Sequence, residues 1–200
     1  DIEATEYGGD KGIFGFGWRN SATSDITNLV SNTGVVATDV SGVGTGRLYH
    51  AACHFGTDRG MFGFGSTGSV SSLTNLVANT GVLASDTTGV GTARQQLAAC
   101  EYGNDKAIFA YGYAGGSVDE SNLVSNVGVV STDVTGVGTD RYFLQACSYG
   151  GNKGIFAYGN SGSVTTLSNL VSSSGVIATD VSGVGTARQA LGACGYGGDK

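Results

Sequence analysis

Arg94-Gln-Gln-Leu-Ala-Ala-Cys100-Glu-Tyr-Gly-Asn-Asp-Lys106-Ala-Ile-Phe109-Ala-Tyr-Gly112 reads as two short strands joined by a tight turn. The first follows an arginine and consists of small residues. Gly-Asn-Asp-Lys supplies the positive φ that a hairpin needs, and Ile-Phe-Ala-Tyr alternates about the chain axis with a period of two. The phrase recurs along the whole sequence: Arg47, Arg94, Arg141 and Arg188 are 47 residues apart, and so are Cys53, Cys100, Cys147 and Cys194. Asp39, Asp86, Asp133 and Asp180 keep the same interval. A fixed period of this length means one supersecondary unit repeated in space. A residue that returns in every unit is then expected to serve the folding of that unit.

Composition points the same way. Gly accounts for 36 of the 200 residues and Pro for none. That much Gly without a G-X-Y period excludes collagen, and the regular aromatic and Val positions argue against disorder. Val, Thr, Phe and Tyr in short runs between Gly, Asn, Asp and Ser predict strands and turns, with no apolar stripe of helical spacing. The net charge of -6 leaves no basic stripe, so nucleic acid is not an expected partner. An acidic, weakly charged surface suits an extracellular or particle-bound protein. No apolar run approaches the roughly 18 residues of a membrane span, and no signal peptide is recognisable. A start at Asp1 rather than Met is read as processing, or as excision from a longer chain.

Four strands per unit are expected. The small-residue strand comes first and the Ile-Phe-x-Phe/Tyr-Gly strand second. The third holds Asn-Leu-Val, and a turn such as Ser31 to Gly34 leads into a fourth, Val-Val-Ala-Thr-Asp. Alternation places Phe14 and Phe16 on one face of the second strand, with Ile13, Gly15 and Gly17 on the other. Phe62/Phe64, Phe109/Tyr111 and Phe156/Tyr158 repeat the pattern. Rings on one side and near-bare backbone on the other would let successive sheets nest. At about 25 cal/mol per Å2, two rings of roughly 150 Å2 contribute several kcal/mol per interface. Four-stranded sheets packed on both faces and repeated in tandem are blades of a β-propeller.

Arg followed by a small-residue strand, an Ile-Phe-x-Tyr-Gly strand and a polar turn into the next Arg resembles the Kelch-type repeat. That resemblance implies an all-β propeller with the strand after the Arg lining the axis. Kelch repeats usually carry a Gly pair after the second strand and a Trp near the fourth. Here single glycines stand there (Gly17, Gly65, Gly112, Gly159), and the only Trp, Trp18, falls in a loop. The near-identical Ala/Gly/Val-rich copies are also similar to the low-complexity repeat arrays of tailed-phage and other virion structural proteins. The chain reads as a single repeat domain over 1–200, with units at 7–53, 54–100, 101–147 and 148–194, and 195–200 beginning another. Either a closed four-blade ring or part of a larger or oligomeric propeller fits, and an open stack would offer its edges for association.

The recurring residues that invite chemistry each have a structural reading. Four equivalent cysteines around an axis suggest a thiolate metal site, but no C-x-x-C spacing exists, and symmetry-related strands seldom meet the geometry of a shared metal or a disulfide. Buried free thiols are the plain reading, and no metal or other cofactor is expected. Thr38-Asp39-Val-Ser-Gly42-Val-Gly44-Thr-x-Arg47 is too weak for a phosphate loop, having no helix behind it, and offers one carboxylate where calcium wants several oxygens. Asp39 is expected to cap a turn through nearby amides, and Arg47 to pair with an acid or with carbonyls of the next blade. His50 is expected to pack, since Leu97, Leu144 and Leu191 take its place elsewhere; His54 is expected to face an opening or solvent. No nucleophile–His–acid set stands out, so no catalytic residue is assigned.

Binding is expected where the units differ. The loop after the second strand of the first unit is one residue longer and carries Trp18 and Arg19; its counterpart in the third carries Tyr113. Residues just after each Arg also vary, among them Tyr49, Gln96 and Tyr142. Exposed aromatics there would stack on sugar rings or on a partner protein. The expected role is a non-enzymatic scaffold in an extracellular or virion-appendage assembly, contacting copies of itself, other subunits or a receptor. A lectin-type propeller binding cell-surface glycan is the alternative.

Overall fold

The computed structural model describes residues 2–197 and Lys200. All regular elements among them are strands, and no helix is long and apolar enough to cross a membrane. The first unit contributes β1 (Glu3–Tyr7), β2 (Lys11–Gly15), a small hairpin of β3 (Trp18–Arg19) and β4 (Ala22–Thr23), and β5 (Thr27–Val30). The second supplies β6 (Ala51–Phe55), β7 (Arg59–Gly63) and β8 (Thr74–Val77). Then come β9 (Ala98–Tyr102), β10 (Lys106–Tyr113) and β11 (Ser117–Val124), followed by β12 (Gln145–Tyr149), β13 (Lys153–Ala157) and β14 (Ser168–Val171). Each unit forms a separate antiparallel sheet: β1-β2-β5, β6-β7-β8, β11-β10-β9 and β12-β13-β14.

The all-β expectation holds, whereas the fourth strand does not form. In the first unit Val-Val-Ala-Thr-Asp and the Val40 after it form no ladder with β5, meeting it at the isolated bridges Val30–Val36 and Thr27–Val40 and through the Ala37 N–H on the Leu29 carbonyl. Three residue steps along β5 thus face four along the segment, which breaks a regular ladder. The Asn28 side chain fills the mismatch, donating to the Ala37 carbonyl at 3.1 Å and to Asp39 Oδ1 at 2.9 Å. Asn75, Asn122 and Asn169 repeat this bracing. Each sheet is therefore three-stranded with a side-chain-braced edge.

Neighbouring sheets nest as the sequence implies, with one correction. A Cβ on Gly15 would stand 2.8 Å from the tip of the Phe62 ring, and one on Gly63 2.8 Å from that of Phe109. Bare backbone is what admits each ring. Phe14 and Phe16, however, do not share a face. Phe16, Phe64, Tyr111 and Tyr158 all have φ near +62 or +63°, and this left-handed residue bulges the strand and turns its ring over. In the third unit the register shifts between Ala110 and Gly112. Phe62 therefore points back to Phe16 of the first unit, 5.3 Å between centroids, while Phe64 points on to Phe109 at 5.2 Å. Both faces of the inner sheets are buried. Phe14, with no sheet before it, is 43% exposed, against 0% for Phe62, Phe109 and Phe156.

The first strands β1, β6, β9 and β12 run side by side. At their leading ends the backbone is tied from unit to unit. Gln96 donates its N–H to the Tyr49 carbonyl (2.8 Å), Phe143 to that of Gln96 (2.9 Å), and Ala190 to that of Phe143 (2.9 Å). These four residues hold φ between +52 and +58°, a conformation that disfavours L side chains by about 1–2 kcal/mol each. The inter-unit hydrogen bonds and the packing behind them hold it in place.

Candidate functional site

Three surfaces concentrate polar or aromatic groups: the junctions between units, the hollow lined by the first strands, and its rim. Each of the three junctions uses one recurring arginine and one recurring aspartate. Asp86 accepts from the Thr45 amide (2.9 Å) and hydroxyl (2.6 Å) and from Asn75 Nδ2 (2.9 Å). Asp133 with Thr92, and Asp180 with Thr139, repeat the arrangement. The expected local turn cap is thus corrected: Asp39 accepts from the Asn28 side chain, and the amide that Asp86, Asp133 or Asp180 binds lies 41 residues upstream, in the preceding linker. Two glycines away from the Arg, φ is +96° at Gly44, where a Cβ would meet Asn75 Nδ2 at 2.7 Å.

Arg47, Arg94 and Arg141 are fully buried between the sheets. Each guanidinium lies flat over the aromatic of the upstream unit, 4.1 Å from the Phe16 centroid, 4.2 Å from Phe64 and 4.3 Å from Tyr111. Each also reaches the aspartate of the downstream unit at 3.7–4.0 Å. Arg47 donates to Asn75 Oδ1 at 2.5 Å, and Arg94 to the Tyr111 carbonyl at 2.8 Å. The expected pairing with an acid and with carbonyls is what the structure places there. Burial pulls Arg47 and Arg94 down to about 10, with the facing aspartates opposing it, so both remain cationic at neutral pH. Burial works to raise the Asp86 carboxyl but is outweighed by hydrogen bonds from Thr45 and Asn75 and by the Arg47 charge, so it titrates below its ordinary value.

The first strands and the segment near Cys194 line a cavity of about 440 Å3. Its wall repeats Ala4, Ala52, Ala99, Ala146 and Ala193, with the four cysteine thiols beside them. The thiols are free, and burial pushes Cys53, Cys100 and Cys147 up, away from the thiolate that nucleophilic attack or metal binding requires. No three His, Cys, Asp or Glu side chains converge as metal ligands among the described residues. At the trailing rim His54 Nε2 meets Glu101 Oε2 at 2.5 Å, and that hydrogen bond raises the imidazole above its ordinary value. His50 packs edge-on against Phe16 at 5.5 Å; burial and then the Arg47 charge lower it to about 3, so it is neutral at pH 7.

The leading rim holds a second hollow of about 340 Å3, lined by Tyr49, Gln96, Phe143 and Glu3 among others. Tyr49 stands edge-on to Phe143 (5.9 Å), which meets Tyr142 (5.5 Å), which in turn meets Tyr113 (5.4 Å). Four of the six binding residues assigned from sequence therefore lie along one rim: Tyr49, Gln96, Tyr113 and Tyr142. Trp18 and Arg19 line a different hollow with Ile2, Phe14 and Asp39, where Trp18 is 54% exposed. Sequence reasoning missed Glu3, whose carboxyl burial raises to about 7. Nothing in its sequence context marks it. Phe143, the bridge of the rim cluster, was legible only as one of the variable positions after each Arg.

The chain matches no protein-family model and no curated protein sequence.

Proposed function

We propose that the chain is a Kelch-like β-propeller array, closed or part of a larger ring, that acts as a non-enzymatic scaffold in an extracellular or virion-borne assembly. One observation carries this reading. At the three junctions the recurring polar residues are taken up by cohesion: arginine on the upstream ring, aspartate on the previous linker, asparagine bracing the edge of its own unit. Chemistry repeated at three junctions around buried arginines serves cohesion. Thiols held protonated and a neutral, buried His50 favour no catalysis.

The lectin alternative draws on the rim aromatics. A lectin built of repeats would carry the same platform in each unit, but the rim holds Tyr49, Gln96, Phe143 and Ala190 at equivalent places. The rings also engage one another, edge-on at Tyr113–Tyr142 and tilted at Tyr142–Phe143, which leaves fewer free faces for a sugar. A glycan array probed with the labelled chain separates the two. The scaffold reading expects no binding; multivalent binding abolished by Trp18→Ala or Tyr113→Ala would replace it with the lectin reading.

A further inference from the structure

The leading hollow of about 340 Å3 has features that cohesion between units does not use. Its frame is rigid. Tyr49, Gln96, Phe143 and Ala190 stand at equivalent places in the four units, tied by backbone hydrogen bonds of 2.8–2.9 Å and held at φ between +52 and +58°. Non-glycine residues forced into the left-handed region cluster at ligand clamps and other functional sites. Here the backbone repeats while the side chains do not, so the strained positions present a phenol, an amide and a phenyl ring to one space. Tyr49 stands edge-on to Phe143 at 5.9 Å. Leu97 and Leu144, both buried, add an apolar lining.

One acid lines this otherwise uncharged space. Glu3 takes the register place that Ala51, Ala98 and Gln145 fill in the other units. Ala51 and Ala98 are buried there, so the place withdraws a side chain from water. Burial holds the Glu3 carboxyl at about 7 against the opposing pull of the amino-terminal charge. Among the described residues no side-chain cation pairs with Glu3. The other titratable side chains lining the hollow are Tyr49 and His50, and His50 is neutral, lowered to about 3 by burial and then by the Arg47 charge. An ionised Glu3 thus has no side-chain counter-charge in a space of rings, amides and aliphatic groups.

We infer that the leading hollow is a binding site for a small organic ammonium, whose cationic head pairs with Glu3 and whose apolar body lies against Phe143, Tyr49 and the leucines. The carboxylate supplies the charge, the aromatic rings attract a cation to their faces, and Gln96 offers a carbonyl oxygen to the ammonium protons. A space of about 340 Å3 lies at the small end of ligand sites and suits a body of one ring or a short alkyl chain. Its walls come from all four units rather than from either end of the stack. A ligand at this hollow neither requires nor excludes subunit contacts, so the scaffold reading stands or falls separately.

The test is calorimetric titration of the 200-residue chain with 2-phenylethylammonium and with 2-phenylethanol, which matches its shape without the charge. Wild type should bind the ammonium at pH 8 with a Kd of about 1 mM or below, the range open to a ligand of this size, and the alcohol about tenfold or more weakly. The probe stays cationic from pH 6 to pH 8, as a lysine does. Glu3 is ionised above about 7 and protonated below it, so the affinity should fall about tenfold from pH 8 to pH 6. The amino terminus titrates in the same range, and Glu3→Gln separates the two: it should weaken binding about tenfold or more at pH 8 and flatten the profile. That variant sheds a carboxylate from a desolvated place, so it folds at least as well as wild type at pH 8, and far-UV circular dichroism checks it. Phe143→Ala should weaken binding about fivefold. No saturation by about 10 mM ammonium, or equal affinity for ammonium and alcohol, overturns the inference. So does either variant that binds as wild type does.

Discussion

Removing one buried arginine tests whether these junctions hold the stack together. Arg94→Ala takes away a guanidinium 4.2 Å above the Phe64 ring, worth about 2 kcal/mol when desolvated. It also strips a donor from the buried Tyr111 carbonyl (2.8 Å), at about 1–3 kcal/mol for a buried acceptor left bare. Against this stands the relief of the buried charge. A guanidinium lowered from 12.5 to about 10 marks an unfavourable term of about 3 kcal/mol. The alanine also leaves a cavity, which adds about 2 kcal/mol or more. The balance is a loss of about 2–4 kcal/mol, a large part of the stability of an ordinary domain. Arg94→Met, which keeps the volume and sheds the charge, should lose about 2 kcal/mol. Arg188 provides the internal control, because the same residue in the same posture is exposed: Arg188→Ala should change stability by less than about 1 kcal/mol. Urea unfolding followed by circular dichroism, at concentrations where the chain is monomeric, reads all three. If Arg94→Ala and Arg188→Ala shift the midpoint equally, the buried junction is not what stabilises the array and the reasoning fails.

Gly44→Ala should destabilise by about 2–4 kcal/mol, since it combines a φ of +96° with a Cβ 2.7 Å from Asn75 Nδ2; Gly185→Ala, strained but uncrowded, should lose only about 1–2 kcal/mol in the same unfolding assay. Glu3 binds its proton more tightly in the folded state, its carboxyl raised by burial from 4.5 to about 7, so its contribution is present below pH 4.5 and lost as pH rises through 7. Glu3→Gln should therefore exceed wild type by about 2–3 kcal/mol at pH 8 and match it at pH 4, in thermal melts at the two values. His54 is raised by its Glu101 hydrogen bond, so it too stabilises most below its unfolded value of 6.5 and loses this as pH climbs through the folded one. The Tm gap between wild type and His54→Asn should be wider at pH 6 than at pH 9. Asp86, Asp133 and Asp180 run the other way: each is lowered by its Thr and Asn hydrogen bonds against the pull of burial, and each gives up stability as pH falls below 3.8. Wild-type stability should accordingly peak on the acid side of neutrality.

The repeat, the first three strands of each unit and the pairing of Arg with an acid are legible in the sequence, because a 47-residue period and short-range alternation carry them. Three features are not. Alternation alone puts Phe14 and Phe16 together; only the left-handed φ at Phe16 separates them, and an aromatic gives no sign of adopting it. A Val-Val-Ala-Thr-Asp run has strand propensity, but the Asn28 side chain replaces part of the ladder, a competition between side chain and backbone that pattern does not encode. The donors to Asp86 lie 41 residues away, so a turn reading of local sequence looks in the wrong unit. At the rim the variable residues after each Arg drew attention to Tyr49, Gln96 and Tyr142. Their convergence on Phe143 depends on the unit-to-unit backbone bonds.

Those backbone bonds between Tyr49, Gln96, Phe143 and Ala190 act as a pitch mark. Every unit takes its height and angle from the one before it, and every seam is interchangeable with the next. Deleting or duplicating a whole unit therefore joins surfaces that already fit, so a lineage can lengthen or shorten the array by recombination without redesigning a single seam. An insertion of the wrong length inside a linker has no such freedom, because it would pull the left-handed residue off its rung. The place where the units already differ in length is the hairpin of Trp18 to Thr23, whose tip at Asn20 and Ser21 is exposed.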